Sequence, residues 1–499
     1  MVRFVGGILL LCLLLCGTVL AEPLLATGYD TETVLRSWET NAFFPRMAEL
    51  TGVEVTGHAV TEEKDYQALL AKTMAGEPQA DILFKASLTR QQEISLIDSG
   101  AVLDLAPLIE KDMPNLSALL AEHPEWREQI ALEDGRIASL PLINLHERQV
   151  CAWLNAAWLE SLGVAFPESL DELTEAFRAI AEKDPNGNGK KDEHALDLVG
   201  VYELRWLLPY FGIVADDYHV CRNGDGELVF APDQAGYRRF AETVKNWYDL
   251  GLMRPDAFTA THTALSITTA SNQNSDKKQT NTSGMLLTVT PYTAVDADEV
   301  SHYRALLLPD ENGKVRWRDL LGELWTGTFA VTASCKDPDA ALRWVDALYT
   351  EKGAALAYVG IEGEEYVYNA EGYWEYKLQE SSEIEAVRAN KIIYTGTTVP
   401  GLFPDRIIEA VNSEEDRHVF AESERVHACS ERVLRNYFLP ASITTEVSEI
   451  CTRLGALVDT GLARFITGEV PLDDEHWNAW LDSLHEAGSA RLVELLHDR

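Results

Sequence analysis

Residues 66–84 read YQALLAKTMAGEPQADILF. Tyr66, Leu69, Leu70 and Met74 recur at helical spacing, so residues 66–74 predict an amphipathic helix. Gly76-Glu77-Pro78 stops it, because glycine unwinds a last turn and proline cannot continue one. Ala80-Asp81-Ile82-Leu83-Phe84 then reads as a short strand buried on both faces. The same rhythm extends outward. Thr51-Gly52 precedes a short strand at Glu54-Val55, residues 94–97 end a helix at Ser99-Gly100, and another helix follows from Leu105. Alternating strands and helices predict an α/β lobe with a mostly parallel sheet.

Further along, residues 137–145 and 150–154 read as consecutive strands. The second leads into a helix around Trp158 closed by Gly163. Ser169 is placed to cap the next helix, with Glu172 at the capping-box position. Helices are expected from there to Tyr210, and again over residues 237–250. Residues 266–283 are rich in Ser, Thr, Asn and Gln and read as a surface loop or pocket-rim insertion. Strands are expected at 285–290, 303–308 and 329–332, a helix at 339–349, and a mainly helical chain from Glu383 on.

The length of 499 residues exceeds one ordinary core and calls for two lobes. With 42 basic against 80 acidic residues the net charge is −38, which repels nucleic acid and anionic lipid headgroups. At the start, Arg3 precedes an apolar run over residues 4–15, too short for a comfortable membrane span and suited to export. Two readings stay open, beside the alternative of an uncleaved anchor or a buried helix. Val19-Leu20-Ala21 offers cleavage before Glu22, while Leu13-Leu14-Leu15-Cys16-Gly17 resembles a lipobox that would anchor the protein through Cys16. Against the second, Leu15 stands where Gly, Ala or Ser is usual. Either way an exported, extracytoplasmic protein is expected. The five remaining cysteines, Cys151, Cys221, Cys335, Cys429 and Cys451, have no paired spacing, so a disulfide framework or zinc site is not expected.

One motif carries chemistry. In Asp184-Pro185-Asn186-Gly187-Asn188-Gly189-Lys190-Lys191-Asp192-Glu193, oxygen-bearing side chains fall at positions 1, 3 and 5 with glycine at 6. That spacing wraps a loop around a hard cation, and Lys190 at position 7 offers its backbone carbonyl. The loop departs from an EF-hand at position 12, where Ala195 replaces the bidentate glutamate and Asp192 and Glu193 come early. Structural calcium held by Asp184, Asn186, Asn188, Lys190, Asp192 and Glu193 is the expectation; a solvated Asn/Gly turn is the alternative.

Several segments carry a resemblance. Asn155-Ala156-Ala157-Trp158-Leu159-Glu160-Ser161-Leu162-Gly163 with Pro167, Leu170 and Glu172 is one. Others are Trp247-Tyr248-Asp249-Leu250-Gly251-Leu252 and Cys335-Lys336-Asp337-Pro338 with Ala340-Ala341-Leu342-Arg343-Trp344. Gly360-Ile361-Glu362-Gly363 with Tyr366, and Phe465-Ile466-Thr467-Gly468-Glu469 with Trp477, complete the set. In this order they resemble the family 1 extracellular solute-binding proteins, in the sub-group of alginate-oligosaccharide-binding proteins and LplA-type lipoproteins. The resemblance implies a periplasmic-binding-protein-like fold: two α/β lobes joined by hinge strands, with a ligand between them. It implies a monomer that delivers a small solute, an oligosaccharide, to two ABC permease subunits. Crossings between lobes are expected near Leu145, Val289 and Cys335. The corresponding division is 1–21 signal peptide, 22–146 first lobe, 147–289 second lobe, 290–335 return to the first and 336–499 second.

Sugar binding needs flat apolar faces and planar polar groups. The candidates at loops and lobe junctions are Trp153, Trp206, Tyr210, Tyr292 and Trp325, with Glu147 and Arg148 for hydroxyls or an acid group. Each has core packing, or for the last two a hinge ion pair, as its alternative. No Gly-x-Ser-x-Gly, His-Glu-x-x-His or phosphate-binding glycine loop occurs, and with 80 acidic residues paired carboxylates do not argue for a glycosidase. A secreted carbohydrate-active enzyme and a non-transport sensor or adhesin on the same fold are the rival classes.

Overall fold

The computed structural model describes residues 22–31, 37–144, 149–198, 200–254, 256–258, 281–319, 324–370, 374–377, 381–394, 397–403, 414–434 and 439–497. It is built on two α/β cores. In the first, six strands lie in the order Gly401–Leu402, Leu140–Ile143, Leu324–Val331, Ile82–Phe84, Leu24–Tyr29 and Val55–Val60. Five run the same way; Leu324–Val331 alone is antiparallel to its neighbours. Alternation along Ile82–Phe84 explains why both faces are covered. Ile82 and Phe84 join Phe43, Phe44 and Trp344 in one cluster, while Leu83 joins Tyr66, Leu70 and Leu96 in another. Phe84 meets Trp344 edge to face at 5.3 Å, and each such buried side chain stabilises the lobe by about 1.5–3 kcal/mol.

The second core holds four strands in the order Tyr303–Ala305, Cys151–Asn155, Ser283–Thr288 and His194–Asp197. Only the last two pair in parallel. Helices Ala156–Leu162, Leu170–Glu182, Ala235–Asp249, Glu414–His427, Ala441–Ile466, Asp474–Glu486 and Ser489–Leu496 surround them. Local signals set their ends. Asn155 Oδ1 accepts the Trp158 N–H at 3.0 Å, and Gly163 closes that helix with φ 69°. Ser169 Oγ accepts the Glu172 N–H at 3.2 Å, but Glu172 Oε2 reaches the N–H of Glu168 rather than that of Ser169. The capping box is therefore displaced by one residue at its return bond. His194–Asp197 is a strand inside a stretch expected to be helical, because it completes the sheet beside Ser283–Thr288. Val201–Phe211 is a 3-10 helix; Pro209, lacking an N–H, sits within it.

The first core draws on residues 24–143 and 324–402, the second on 150–317 and 419–496. Two expected crossings are corrected. Val289 packs against the second core, and the chain stays there through Val300, Tyr303, Leu306 and Trp317, because Tyr303–Ala305 pairs with Cys151–Asn155. Cys335 packs against the first core. The chain remains in it through helix Pro338–Asp346, whose Ala341, Leu342, Trp344 and Val345 are buried there. So 290–317 is not a return to the first lobe, and 336–402 is not part of the second. The chain passes between cores after Ile143, between Asp319 and Leu324, and after Leu402. Leu145 itself lies outside the described residues, as does nearly all of the polar stretch 266–283, whose Ser283 begins a strand.

Candidate functional site

All three passages leave from one end of the first sheet: the carboxyl ends of Leu140–Ile143 and Gly401–Leu402, and the start of the antiparallel Leu324–Val331. Ligands of open α/β sheets bind outside the carboxyl ends of strands. Here that end faces the chain's passage into the second lobe. Asp30 and Lys85 follow directly on strands Leu24–Tyr29 and Ile82–Phe84. Lys85 Nζ donates to Asp30 Oδ2 at 2.6 Å and to the Ile393 carbonyl at 2.8 Å, and Trp38 Nε1 donates to Asp30 Oδ2 at 2.9 Å. Both charges are buried; such a pair persists only when hydrogen bonds satisfy it. Lys85 and Ser87 adopt φ 51° and 49°, a left-handed conformation rare outside glycine and common near functional loops.

The segment around Ile393 crosses this end. Thr397 Oγ1 donates to the carbonyls of Tyr29 and Lys85. Between these anchors Tyr394 is 37% exposed and stacks on Tyr358 at 5.5 Å, and Tyr358 meets Phe403 edge to face at 4.5 Å. Tyr29 stacks on Tyr66 at 5.4 Å. Trp325 is 41% exposed, one residue into its strand. The end of the sheet therefore presents aromatic faces beside backbone carbonyls.

The residues singled out from sequence fare unequally. Trp153 is wholly buried in the second sheet, its Nε1 donating to the Thr288 carbonyl at 2.9 Å. Tyr210 is buried against Trp317, its hydroxyl donating to the Leu306 carbonyl at 2.7 Å. Both pack in the second core. Trp206 is buried too, with the Arg318 guanidinium 4.9 Å from its ring centre. Tyr292 is half-buried just beyond strand Ser283–Thr288, and only Trp325 is well exposed. Glu147 and Arg148 lie outside the described residues. Tyr394, Tyr358 and the Asp30–Lys85 pair, which lie at this sheet end, were not among the candidates read from sequence. A charged residue directly after the apolar run Ile82-Leu83-Phe84 was the available signal for Lys85.

The loop at 184–193 joins helix Leu170–Glu182 to strand His194–Asp197. Asp184 accepts the N–H groups of Asn188 at 3.1 Å and Gly189 at 2.7 Å. Asn186 Oδ1 accepts the Asn188 N–H at 3.0 Å, and Asn188 Oδ1 the Lys190 N–H at 2.7 Å. Asn188 Nδ2 donates to Asp192 Oδ1 at 2.9 Å, and Asn186 Nδ2 to the Asn281 carbonyl at 3.0 Å. Glu193 is buried, yet neither of its carboxylate oxygens has a hydrogen-bond partner. Burial pushes its carboxyl up, and the charges of Asp184 and Asp192 push the same way, against the pull of the nearby N–H groups of Glu193 and Asn186, which fall short of hydrogen-bond geometry. Among the described residues no three His, Cys, Asp or Glu side chains converge as a metal cluster. A cation here needs the amide oxygens of Asn186 and Asn188 as well. Each retains a lone pair beyond the N–H it accepts. The orphaned Glu193 oxygens and this donor set fit a hard cation.

The profile of the bacterial extracellular solute-binding proteins matches residues 37–355. The fructooligosaccharide ABC transporter substrate-binding protein FusA of Streptococcus pneumoniae serotype 4 is 32% identical over 170 residues, 32% of this chain and 32% of that protein. The aligned stretch thus spans about a third of that curated relative's length. An HMO-binding solute-binding protein from Bifidobacterium longum infantis superimposes with a TM-score of 0.78 at 17% identity, covering 96% of this chain and 98% of that one. The FusA EF-hand mutant in complex with fructo-nystose superimposes with 0.69 at 18% identity, covering 95% and 98%. At such identities these two likenesses concern the fold. The profile match spans well over half of the sequence, and the chain belongs to the bacterial extracellular solute-binding protein family.

Proposed function

We propose that this protein is the extracytoplasmic solute-binding component of an ABC importer, capturing an oligosaccharide between its lobes and delivering it to two permease subunits. The observation that carries this reading is the common sheet end from which the passages leave, with Trp325 and Tyr394 exposing aromatic faces there. Proteins of the same fold, one HMO-binding and one solved in complex with fructo-nystose, support the substrate class. The open form exposes the sheet end, the sugar bridges the lobes, and binding shifts the population to a closed form. Affinity comes from stacking and neutral hydrogen bonds, so it depends weakly on salt. Calcium, held by Asp184, Asn186, Asn188, the Lys190 carbonyl, Asp192 and Glu193, stiffens the second lobe without touching the sugar. The role is capture and not catalysis.

Thermal unfolding against neutral and acidic oligosaccharides tests this. A sugar at a hundred times its dissociation constant stabilises by about 2.7 kcal/mol, with no product formed. Trp325→Ala is expected to weaken binding of that sugar by roughly ten-fold, the loss of about 1.4 kcal/mol of stacking. No stabilisation by any sugar in the panel, or turnover of one, would overturn the reading.

A further inference from the structure

Strand Leu324–Val331 pairs unevenly with Leu140–Ile143. Trp325 lies opposite Leu142 and Phe329 opposite Leu140, so four steps on one strand match two on the other. In a regular strand Trp325 and Phe329 would share one face and one environment. Instead Phe329 is wholly buried and Trp325 exposed. The surplus residues form a bulge, a device that re-aims side chains near functional sites. Gly327 stands within it at φ 76°, so close to Leu88 that a Cβ would fall 2.1 Å from the Leu88 carbonyl oxygen. No other residue type fits there without displacing backbone.

A chain of buried polar groups holds the bulge from below. The Gly327 N–H donates to Ser139 Oγ at 2.9 Å, and the Ser139 hydroxyl donates to Glu93 Oε1. Arg90 Nη1 donates to Glu93 Oε2 at 3.1 Å and to the Ile130 carbonyl at 3.3 Å. Glu93 and Ser139 are buried between helix Arg90–Asp98 and the sheet. Burial pushes the Glu93 carboxyl up, against the pull of Arg90, Ser139 and the Gly327 N–H. Apolar side chains would fill such a space without desolvating a charge; buried ionic groups are best attested where they fix one arrangement among several.

We propose that Arg90, Glu93 and Ser139 form a positioning relay that acts through the Gly327 N–H to fix the bulge and hold Trp325 as a stacking face for the solute. This rests on the reading that Trp325 contacts the sugar. Ser139 and Glu93 are buried away from solvent, and their effect passes through the backbone at Gly327.

The test uses the mature protein labelled with 5-fluorotryptophan, in which Trp325→Phe identifies one fluorine resonance among those of the 12 tryptophans. Ser139→Ala and, separately, Glu93→Gln are expected to shift or broaden that resonance while the others keep their positions, which also reports that the variants are folded. With fructo-nystose as probe, Ser139→Ala is expected to weaken binding several-fold in the wild-type background and not at all when combined with Trp325→Ala. A Trp325 resonance unmoved by both substitutions would overturn the relay, as would a Ser139→Ala loss that persists undiminished without Trp325. Unchanged binding of fructo-nystose by Trp325→Ala would instead refute the sugar-contact reading, and the fluorine spectrum would still decide whether the relay positions the ring.

Discussion

Calcium at a hundred times its dissociation constant is expected to raise the unfolding midpoint of the wild-type protein by about 5–10 °C, and a chelator to abolish the rise. The size follows from a stabilisation of about 2.7 kcal/mol and a response of about 2–4 °C per kcal/mol for a cooperative unit of 150–250 residues. Glu193 makes the prediction specific. Without metal, its buried carboxylate has no hydrogen-bond partner and faces the charges of Asp184 and Asp192. Glu193→Gln removes that penalty, so the metal-free variant should unfold at a higher temperature than the metal-free wild type. The same substitution removes a charged ligand, so most of the calcium shift should vanish and the order of the two proteins should reverse when calcium is added. The pH dependence has a definite sign. Because the native Glu193 carboxyl titrates above the ordinary glutamate range, its contribution to metal-free stability is present in acid and lost as pH rises through its native pKa. Calcium replaces the proton and should flatten that decline. A Glu193→Gln protein with the full calcium shift would show that the cation, if bound, sits elsewhere. The loop reaches strand Ser283–Thr288 through the bond from Asn186 to the Asn281 carbonyl, so the effect belongs to the second core and sugar affinity should change little.

Much of the fold was legible because its signals are local. Gly163 and Asn155 bound one helix, Ser169 opens the next, and Gly76 with Pro78 closes Glu63–Met74. The 184–193 loop announced itself by spacing alone. What was not legible depends on partners distant in sequence. His194–Asp197 becomes a strand because Ser283–Thr288 accepts it across some 85 intervening residues, and nothing within residues 194–197 says so. The passages between lobes were misplaced for the same reason. Tyr303–Ala305 and Leu324–Val331 both read as strands, and only pairing reveals that one extends the second sheet while the other enters the first. The aromatic candidates depend on distant partners in another way. Trp153 and Tyr210 lie near a junction in sequence, but their polar atoms find backbone carbonyls inside the second core, the ordinary fate of large amphipathic rings. Tyr394 escaped notice because its neighbours carry no motif. Its place comes from the long-range bonds of Ile393 and Thr397 to the first sheet.

Asp216→Asn is expected to destabilise the protein at pH 4 and to stabilise it at pH 8. Asp216 is buried; its Oδ1 accepts the N–H groups of Tyr218 at 2.9 Å and Val220 at 3.2 Å, while Oδ2 has no hydrogen-bond partner. Burial pushes its carboxyl up to about 7, against the pull of the Arg318 charge and the two N–H groups and with a further push from Asp217. Arg318 is only a partial counter-ion, because its guanidinium pairs with Asp217 at 2.8 Å. His219 next to this turn is pushed down to about 4 by burial and by Arg205, so it stays neutral over most of the range and does not compensate. An unfolded aspartate titrates near 3.8, so between that pH and about 7 the native state holds a proton that the unfolded state has released. Stability from this group is therefore complete below pH 3.8 and declines as pH rises toward 7, by on the order of 1.4 kcal/mol per unit and roughly 4 kcal/mol in all. Asparagine keeps the acceptor for both N–H groups but cannot ionise. At pH 4, where the unfolded aspartate is only partly ionised, it exchanges a neutral carboxylic acid for a buried amide whose donors lack partners, a loss of about 1–3 kcal/mol with little offset. At pH 8 it removes a buried carboxylate, and the balance reverses. Unfolding midpoints of the two proteins in saturating calcium, which silences Glu193, should cross between these pH values. Parallel curves would mean that Asp216 is ionised throughout, with Arg318 turned toward it rather than toward Asp217.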